Sequence, residues 1–201
     1  MKKLVIKDIE KRSQFWDKRE NRGPIDGSHD LKDSLPYPFS GSEGLFRGRN
    51  VLEIGPGRGR QYDYLKGYVK SYSICDISVE ALIGEEYIVD IKDRFQFETY
   101  DADFEVRFDI VHFWYVLHHI LKEEIDQFFD FVYRHLKDKG LVMFNTPQLH
   151  NVVGAYTGDG IGTTHFKLSD IIEALYQKFD VKVIRQIDFK STGYLIIGEK
   201  K

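Results

Sequence analysis

Three glycines at alternate positions, Gly55, Gly57 and Gly59, follow the apolar run "VLEI", and an acid, Glu53, sits inside that run. Glycines so placed allow tight turns and let a ligand approach main-chain N–H groups with no Cβ in the way. Asp76 stands 21 residues after Gly55. A carboxylate closing a second strand at about that separation can accept both hydroxyls of a ribose. "TYDADF" offers a further acid, Asp101, with Asp103 as a second choice, after a third strand signal. Four histidines, His118, His119, His150 and His165, can exchange a proton near neutral pH. These residue types are suited to holding a ribose and to moving a proton.

The two commonest phosphate loops fail on spacing. The dinucleotide fingerprint GxGxxG needs glycine at 60, where Arg60 stands, and the GK[ST] of a P-loop is absent. The pattern ExGxGxG, carried here by Glu53, Gly55, Gly57 and Gly59, resembles that of the class I S-adenosylmethionine-dependent methyltransferases. "FDIVHFWYVLHHI" (108–120) is similar to the "FDxVxxxxVLHH" stretch of the family's small-molecule members, and "HLKDKGLVMFNTP" and "HFKLSDIIEALYQKFDVKVI" resemble its later elements. The resemblance covers roughly residues 45–200. It implies S-adenosylmethionine as cofactor, with S-adenosylhomocysteine as product. It implies contacts from Glu53, Gly55, Pro56, Gly57, Gly59, Asp76, Ile77, Asp101, Ala102 and Trp114, and Glu53 then suits the cationic amino-acid tail of the ligand. By the same resemblance Asp101, with Asp103 as the second choice, is expected to meet the adenine amino group, and Ala102 and Phe104 to lie against the ring.

Methyl transfer from a sulfonium is an in-line displacement, in which positioning carries much of the barrier reduction. A hydroxyl acceptor also needs a base. By the resemblance His119 ranks first for that role, His165 second, and His118 stands beside them. His112, inside a strand, reads as structural, and Asp109 as structural near the glycine loop. No metal site is expected, because two adjacent histidines without a nearby acid make a poor divalent site.

These residues need a frame that aligns them. From residue 49, strand signals alternate with helix signals: 50–55, 71–77, 94–101, 108–114 and 140–146, with the clearest helix at 122–137, where Ile125, Phe128, Phe129, Val132 and Leu136 form one face. Strands apolar on both faces suit a parallel sheet covered by helices. "KLSDIIEALYQKF" is a helix with Ser169 as its N-cap. After it, "VKVIRQI" and "YLIIGE" are joined by "DFKSTG", too short for a crossover helix, so they pair antiparallel. The expected fold is α/β: a Rossmann-like, mostly parallel seven-stranded sheet with helices on both faces and a C-terminal antiparallel hairpin. Residues 1–44 form an N-terminal helix (4–21, with Leu4, Ile6, Ile9, Phe15 and Trp16 apolar) and a lid segment. Residues 45–201 form the cofactor domain. By analogy with such lids, Phe15, Trp16, Tyr37 and Phe39 are candidate walls for the acceptor. The loop holding His150, Tyr156 and His165 can fold over the site.

The charge balance, 29 basic against 32 acidic residues, gives no electrostatic reason for nucleic acid or an anionic membrane. The [DNS]PP[YF] motif of nucleic-acid methyltransferases is absent after the fourth strand, where "WYVLHH" stands. One cysteine, Cys75, excludes an internal disulfide. The N-terminus lacks the apolar core of a signal peptide, and no run approaches a membrane span, so a cytoplasmic location is expected. The expectation is an S-adenosylmethionine-dependent enzyme methylating a small molecule, more readily at oxygen than nitrogen, on a sugar, quinone-like ring or other metabolite. Alternatives are a non-catalytic cofactor-binding scaffold and a methyltransferase acting on a protein. Oligomeric state is not readable.

Overall fold

A computed structural model of the chain describes residues 9–18, 41–83, 90–147, 166–189 and 191–201. The chain divides into two compact units, Met1–Ala102 and Asp103–Lys201.

The first unit opens with α1 (Ile9–Asp17) and a short α2 (Glu43–Phe46). Leu4 and Ile6 of the expected first helix lie outside the described residues. Three parallel strands follow, β1 (Asn50–Ile54), β2 (Ser71–Asp76) and β3 (Arg94–Gln96), in the order β3-β2-β1. In register, Glu53 opposes Ile74 and Ile54 opposes Cys75, while Asp76 opposes Gln96. Val51, Leu52 and Ile54 are buried with Tyr72, Ile74 and Cys75, which is why these strands read as apolar on both faces. Helix α3 (Arg60–Leu65) follows β1 and α4 (Val79–Ile83) follows β2. β3 is shorter than the expected 94–101, because the chain turns at Thr99, whose carbonyl accepts the N–H of Ala102 at 3.2 Å.

The second unit holds β4 (Phe108–Phe113), α5 (Ile125–His135), β5 (Leu136–Pro147), α6 (Leu168–Tyr176), β6 (Phe179–Phe189) and β7 (Ser191–Lys200). Its strand order is β4-β5-β7-β6. β4 and β5 run parallel, while β7 is antiparallel to both β5 and β6. Phe113 of β4 stacks on Phe144 of β5, with centroids 4.7 Å apart at 13°, and meets Phe128 of α5 edge-on at 5.0 Å. All three are fully buried. Burial of each such ring contributes on the order of 1.5–3 kcal/mol.

Three sequence boundaries move. The helix expected over 122–137 is a 3₁₀ turn (Lys122–Glu124) followed by α5, and Leu136 already belongs to β5, where it pairs with Phe108. Polar Lys137, Asp138 and Lys139 hide that start. Ser169 is not the N-cap of its helix: Lys167 is, its carbonyl accepting the N–H groups of Asp170 and Ile171. The hairpin continues through the expected connector, with Phe189 paired to Ser191.

Candidate active site

In the first unit the glycine loop leaves β1 with its backbone in the left-handed region at Gly55 (φ 68°), Gly57 (φ 55°) and Gly59 (φ 80°). Side chains are strained there, which is the physical demand behind the repeat. The loop is pinned at both ends. Gly55 N–H donates to the Cys75 carbonyl at 2.8 Å, and the Gly59 carbonyl accepts the N–H of Asp63 at 3.0 Å as α3 begins. Pro56 and Gly59 are buried.

The acid inside the strand has a structural partner. The Tyr72 hydroxyl donates to Glu53 Oε2 at 2.7 Å, and both residues are buried. Desolvation, with the neighbouring carboxylate, pushes the Tyr72 phenol well above its ordinary range, so it stays a donor.

Asp76 is the last residue of β2 and is 8% exposed. Its Oδ1 accepts the Ser78 N–H at 2.8 Å, and Ile77 lies between them. Ser78 Oγ accepts the Ala81 N–H at 3.0 Å, starting α4, and donates to Asp17 Oδ1 of α1 at 2.7 Å. Asp101 is exposed on the turn after β3, its N–H donating to Thr99 Oγ1 at 3.3 Å, and Ala102 is half-buried beside it.

Gln61, in the first turn of α3, is 3% exposed, and its Oε1 meets no hydrogen-bond partner among the described residues. A buried acceptor left so costs about 1–3 kcal/mol.

In the second unit the chain leaving β4 carries four rings in a row of contacts. Trp114 meets Tyr115 edge-on at 5.5 Å, Tyr115 meets His118 at 6.1 Å, and His118 lies 3.9 Å from His119. Both imidazoles stand on a 3₁₀ turn (Leu117–His119) closed by His119 N–H to the Val116 carbonyl at 2.8 Å, and both are half-buried. Tyr115 has φ 56°, a strained value for a bulky residue. Its N–H donates to Oδ1 of buried Asn145 on β5 at 2.7 Å.

The other candidates separate from this group. His112 is fully buried in β4, where desolvation pulls its pKa down to about 3. Asp103 is held by Arg107 through two bonds of 2.8 and 2.9 Å, which brings its pKa to about 2. Phe104 turns its ring onto Phe131 (5.6 Å) and His135 (4.5 Å) of α5. Asp109 pairs with Lys137 of β5 at 2.8 Å. His150, Tyr156, His165, Tyr37 and Phe39 lie outside the described residues. Sequence reasoning missed Asn145, Gln61 and Asp17. Only Asn145 leaves a trace, as an amide interrupting the apolar run "LVMFN".

A family model described as a methyltransferase domain matches residues 18–180, more than half of the chain. The chain belongs to the class I S-adenosylmethionine-dependent methyltransferases. Solved structures agree on the fold, a mostly parallel seven-stranded sheet ending in an antiparallel pair. The N-methyltransferase NodS of Bradyrhizobium japonicum, in complex with S-adenosylhomocysteine, is 16% identical with a TM-score of 0.68, covering 92% of this chain and 98% of that one. Magnesium protoporphyrin IX methyltransferase of Synechocystis, with the same ligand bound, is 15% identical with a TM-score of 0.68, covering 96% of this chain and 100% of the other. The 1,6-didemethyltoxoflavin-N1-methyltransferase of Burkholderia thailandensis, with its substrate and S-adenosylhomocysteine bound, is 17% identical with a TM-score of 0.65, covering 92% and 88%. No curated protein matches by sequence.

The residues of this methyltransferase suit the cofactor on their own chemistry. The loop is clear of side chains at three positions, Asp76 ends its strand as a hydroxyl acceptor does in dinucleotide folds, and Gln61, just after the loop, has a buried acceptor with no partner among the described residues. Among the described residues no group of three or more His, Cys, Asp or Glu is gathered to hold a metal ion. No described helix is long and apolar enough to cross a membrane.

Proposed function

We propose that this methyltransferase methylates a small molecule at a hydroxyl oxygen. The observation that carries the reading is the adjacent imidazole pair, His118 and His119, on the turn after β4 and in line with the rings of Tyr115 and Trp114. When bound, S-adenosylmethionine supplies an electrophilic methyl group on a sulfonium.

The backbone of Gly55, Pro56, Gly57 and Gly59 would hold the amino-acid tail, with Glu53 behind the loop and Gln61 Oε1 available as an acceptor for its ammonium group. Asp76 receives the ribose hydroxyls, and Ile77, Asp101, Ala102 and Trp114 contact the nucleoside. His119 takes the acceptor's hydroxyl proton as oxygen attacks, a role worth about 10² to 10⁴ in rate. His118 and Tyr115 orient the acceptor, and His165 is the second candidate base. Residues 1–44, with Phe15 and Trp16 on α1, are the lid over the acceptor, and residues 45–201 are the catalytic domain. The acceptor's aromatic surroundings favour a molecule with an apolar face.

The test is calorimetric titration with S-adenosylmethionine and S-adenosylhomocysteine, on the natural chain and on Asp76→Ala. Micromolar binding lost in the variant supports the cofactor assignment. A folded protein that binds neither ligand removes it. S-adenosylhomocysteine release is then followed across hydroxyl and amine acceptors. Turnover of amines alone, or full turnover by His119→Ala, overturns the oxygen and base assignments.

A further inference from the structure

We infer that Asp17, the last residue of α1, is a positioning residue for the cofactor, coupling the N-terminal helix to the nucleoside carboxylate Asp76. The inference rests on the reading of Asp76 given above and extends it to a residue 59 positions away in the chain.

The link is a continuous run of hydrogen bonds. Asp76 Oδ1 is fixed by the N–H of Ser78 at 2.8 Å. Ser78 is fully buried, and its hydroxyl has one proton to give. That proton goes to Asp17 Oδ1 at 2.7 Å, while Ser78 Oγ itself accepts the Ala81 N–H at 3.0 Å. Asp17 Oδ1 also receives the Glu80 N–H at 3.4 Å, and Ser13 donates to its Oδ2 at 3.5 Å within α1. The carboxylate therefore stands over the first turn of α4, where negative charge is favoured. It fixes Ser78, whose backbone N–H donates to Asp76.

Two consequences follow by linkage. Docking of α1 orders the 76–78 turn, so it raises cofactor affinity, and cofactor binding must stabilise the docked helix by the same factor. Phe15 and Trp16, in edge-on contact at 4.9 Å, precede Asp17 directly, so the residues proposed to wall the acceptor are held by the bond that senses the cofactor.

The experiment pairs calorimetry with amide hydrogen exchange of residues 9–17, with and without S-adenosylhomocysteine. The natural chain is expected to bind the ligand and to slow exchange in α1 when it does. Asp17→Ala is expected to weaken binding about tenfold and to abolish the ligand-dependent protection of α1. Asp17→Asn, which keeps an acceptor at Oδ1, should recover most of both. Ser78→Ala breaks the same link from the other side and should reproduce the loss, which covers the case of a misfolded Asp17 variant. A merely structural role gives faster exchange in α1 at all ligand concentrations with unchanged affinity, and that result overturns the inference. If Asp76→Ala loses binding while Asp17→Ala and Ser78→Ala do not, the coupling fails and the cofactor reading stands. If the natural chain binds nothing, both fall.

Discussion

The backbone N–H of Tyr115 donates to the side-chain oxygen of Asn145, 30 residues later, at 2.7 Å. It does so from a left-handed conformation that a tyrosine seldom adopts. Strain of this kind costs about 1–3 kcal/mol and persists only where the surroundings over-determine it. The buried amide of Asn145, directly after the apolar run Leu141–Phe144 of β5, is one such constraint. It aims the chain leaving β4 so that Trp114, Tyr115 and the histidine pair follow one another in contact.

Removing the amide should release the turn. Asn145→Ala leaves a part-buried N–H without its acceptor and is expected to lower stability by about 1–3 kcal/mol, read as a shift in urea midpoint. Tyr115→Gly relieves about 1–2 kcal/mol of backbone strain and should offset much of the loss of its ring contacts. A larger loss from Tyr115→Gly than from Asn145→Ala would show that packing, not the amide, holds the turn.

Two buried histidines make stability fall in acid. His112 and His135 have folded pKa values lowered to about 3 and about 4, both chiefly by desolvation. His135 stays neutral while its Nδ1 meets the Phe131 carbonyl at 2.8 Å and its Nε2 accepts the Phe104 N–H at 3.2 Å. The unfolded chain takes up these protons below its ordinary histidine pKa of about 6.5, and the folded chain does not. Stability is therefore complete above that value and lost as pH drops toward 4. The slope is up to about 1.4 kcal/mol per pH unit for each histidine. Denaturant midpoints that stay level between pH 7 and pH 5 would refute this.

Gln61→Leu should separate stability from binding. Its Oε1 is buried and has no partner among the described residues, so an apolar side chain of similar size should raise the melting temperature. Affinity for S-adenosylhomocysteine should fall, by about tenfold for a loss of 1.4 kcal/mol. Methylthioadenosine, which lacks the amino-acid tail, should bind both proteins equally. Equal losses for the two ligands would place Gln61 elsewhere.

Tyr72→Phe removes the donor to Glu53 and leaves a buried carboxylate short of one hydrogen bond. The expected cost is about 1–3 kcal/mol by chemical denaturation. An unchanged midpoint would mean that other donors suffice for Glu53.

The legible parts were those written in local pattern. Glycine spacing announced the left-handed loop, two-sided apolar runs announced parallel strands, and the short gap before β7 forced an antiparallel hairpin. What stayed hidden depends on partners distant in sequence. Nothing near Glu53 indicates Tyr72, 19 residues on, and nothing near Asp17 indicates Ser78. The early start of β5 was masked by Lys137, Asp138 and Lys139, which sit at an exposed strand end. Ser169 looked like a cap by residue type, yet the backbone of Lys167 already closes that turn.

The outer strand of the second unit carries features that oppose edge-to-edge pairing. β6 ends the order β4-β5-β7-β6, and it exposes Val183 and Ile184, the apolar side chains that invite strand-to-strand self-association. Its pairing with β7 slips between Val181 and Val183, and Lys182 at the slip reaches Glu199 at 3.4 Å. Exposed Arg185 adds a second charge two residues beyond the slip. A bulge and two cations are devices that blunt an edge against a second chain. Lys182 and Arg185 thus set two positive charges along this edge, where a second strand pairing with it would have to meet them.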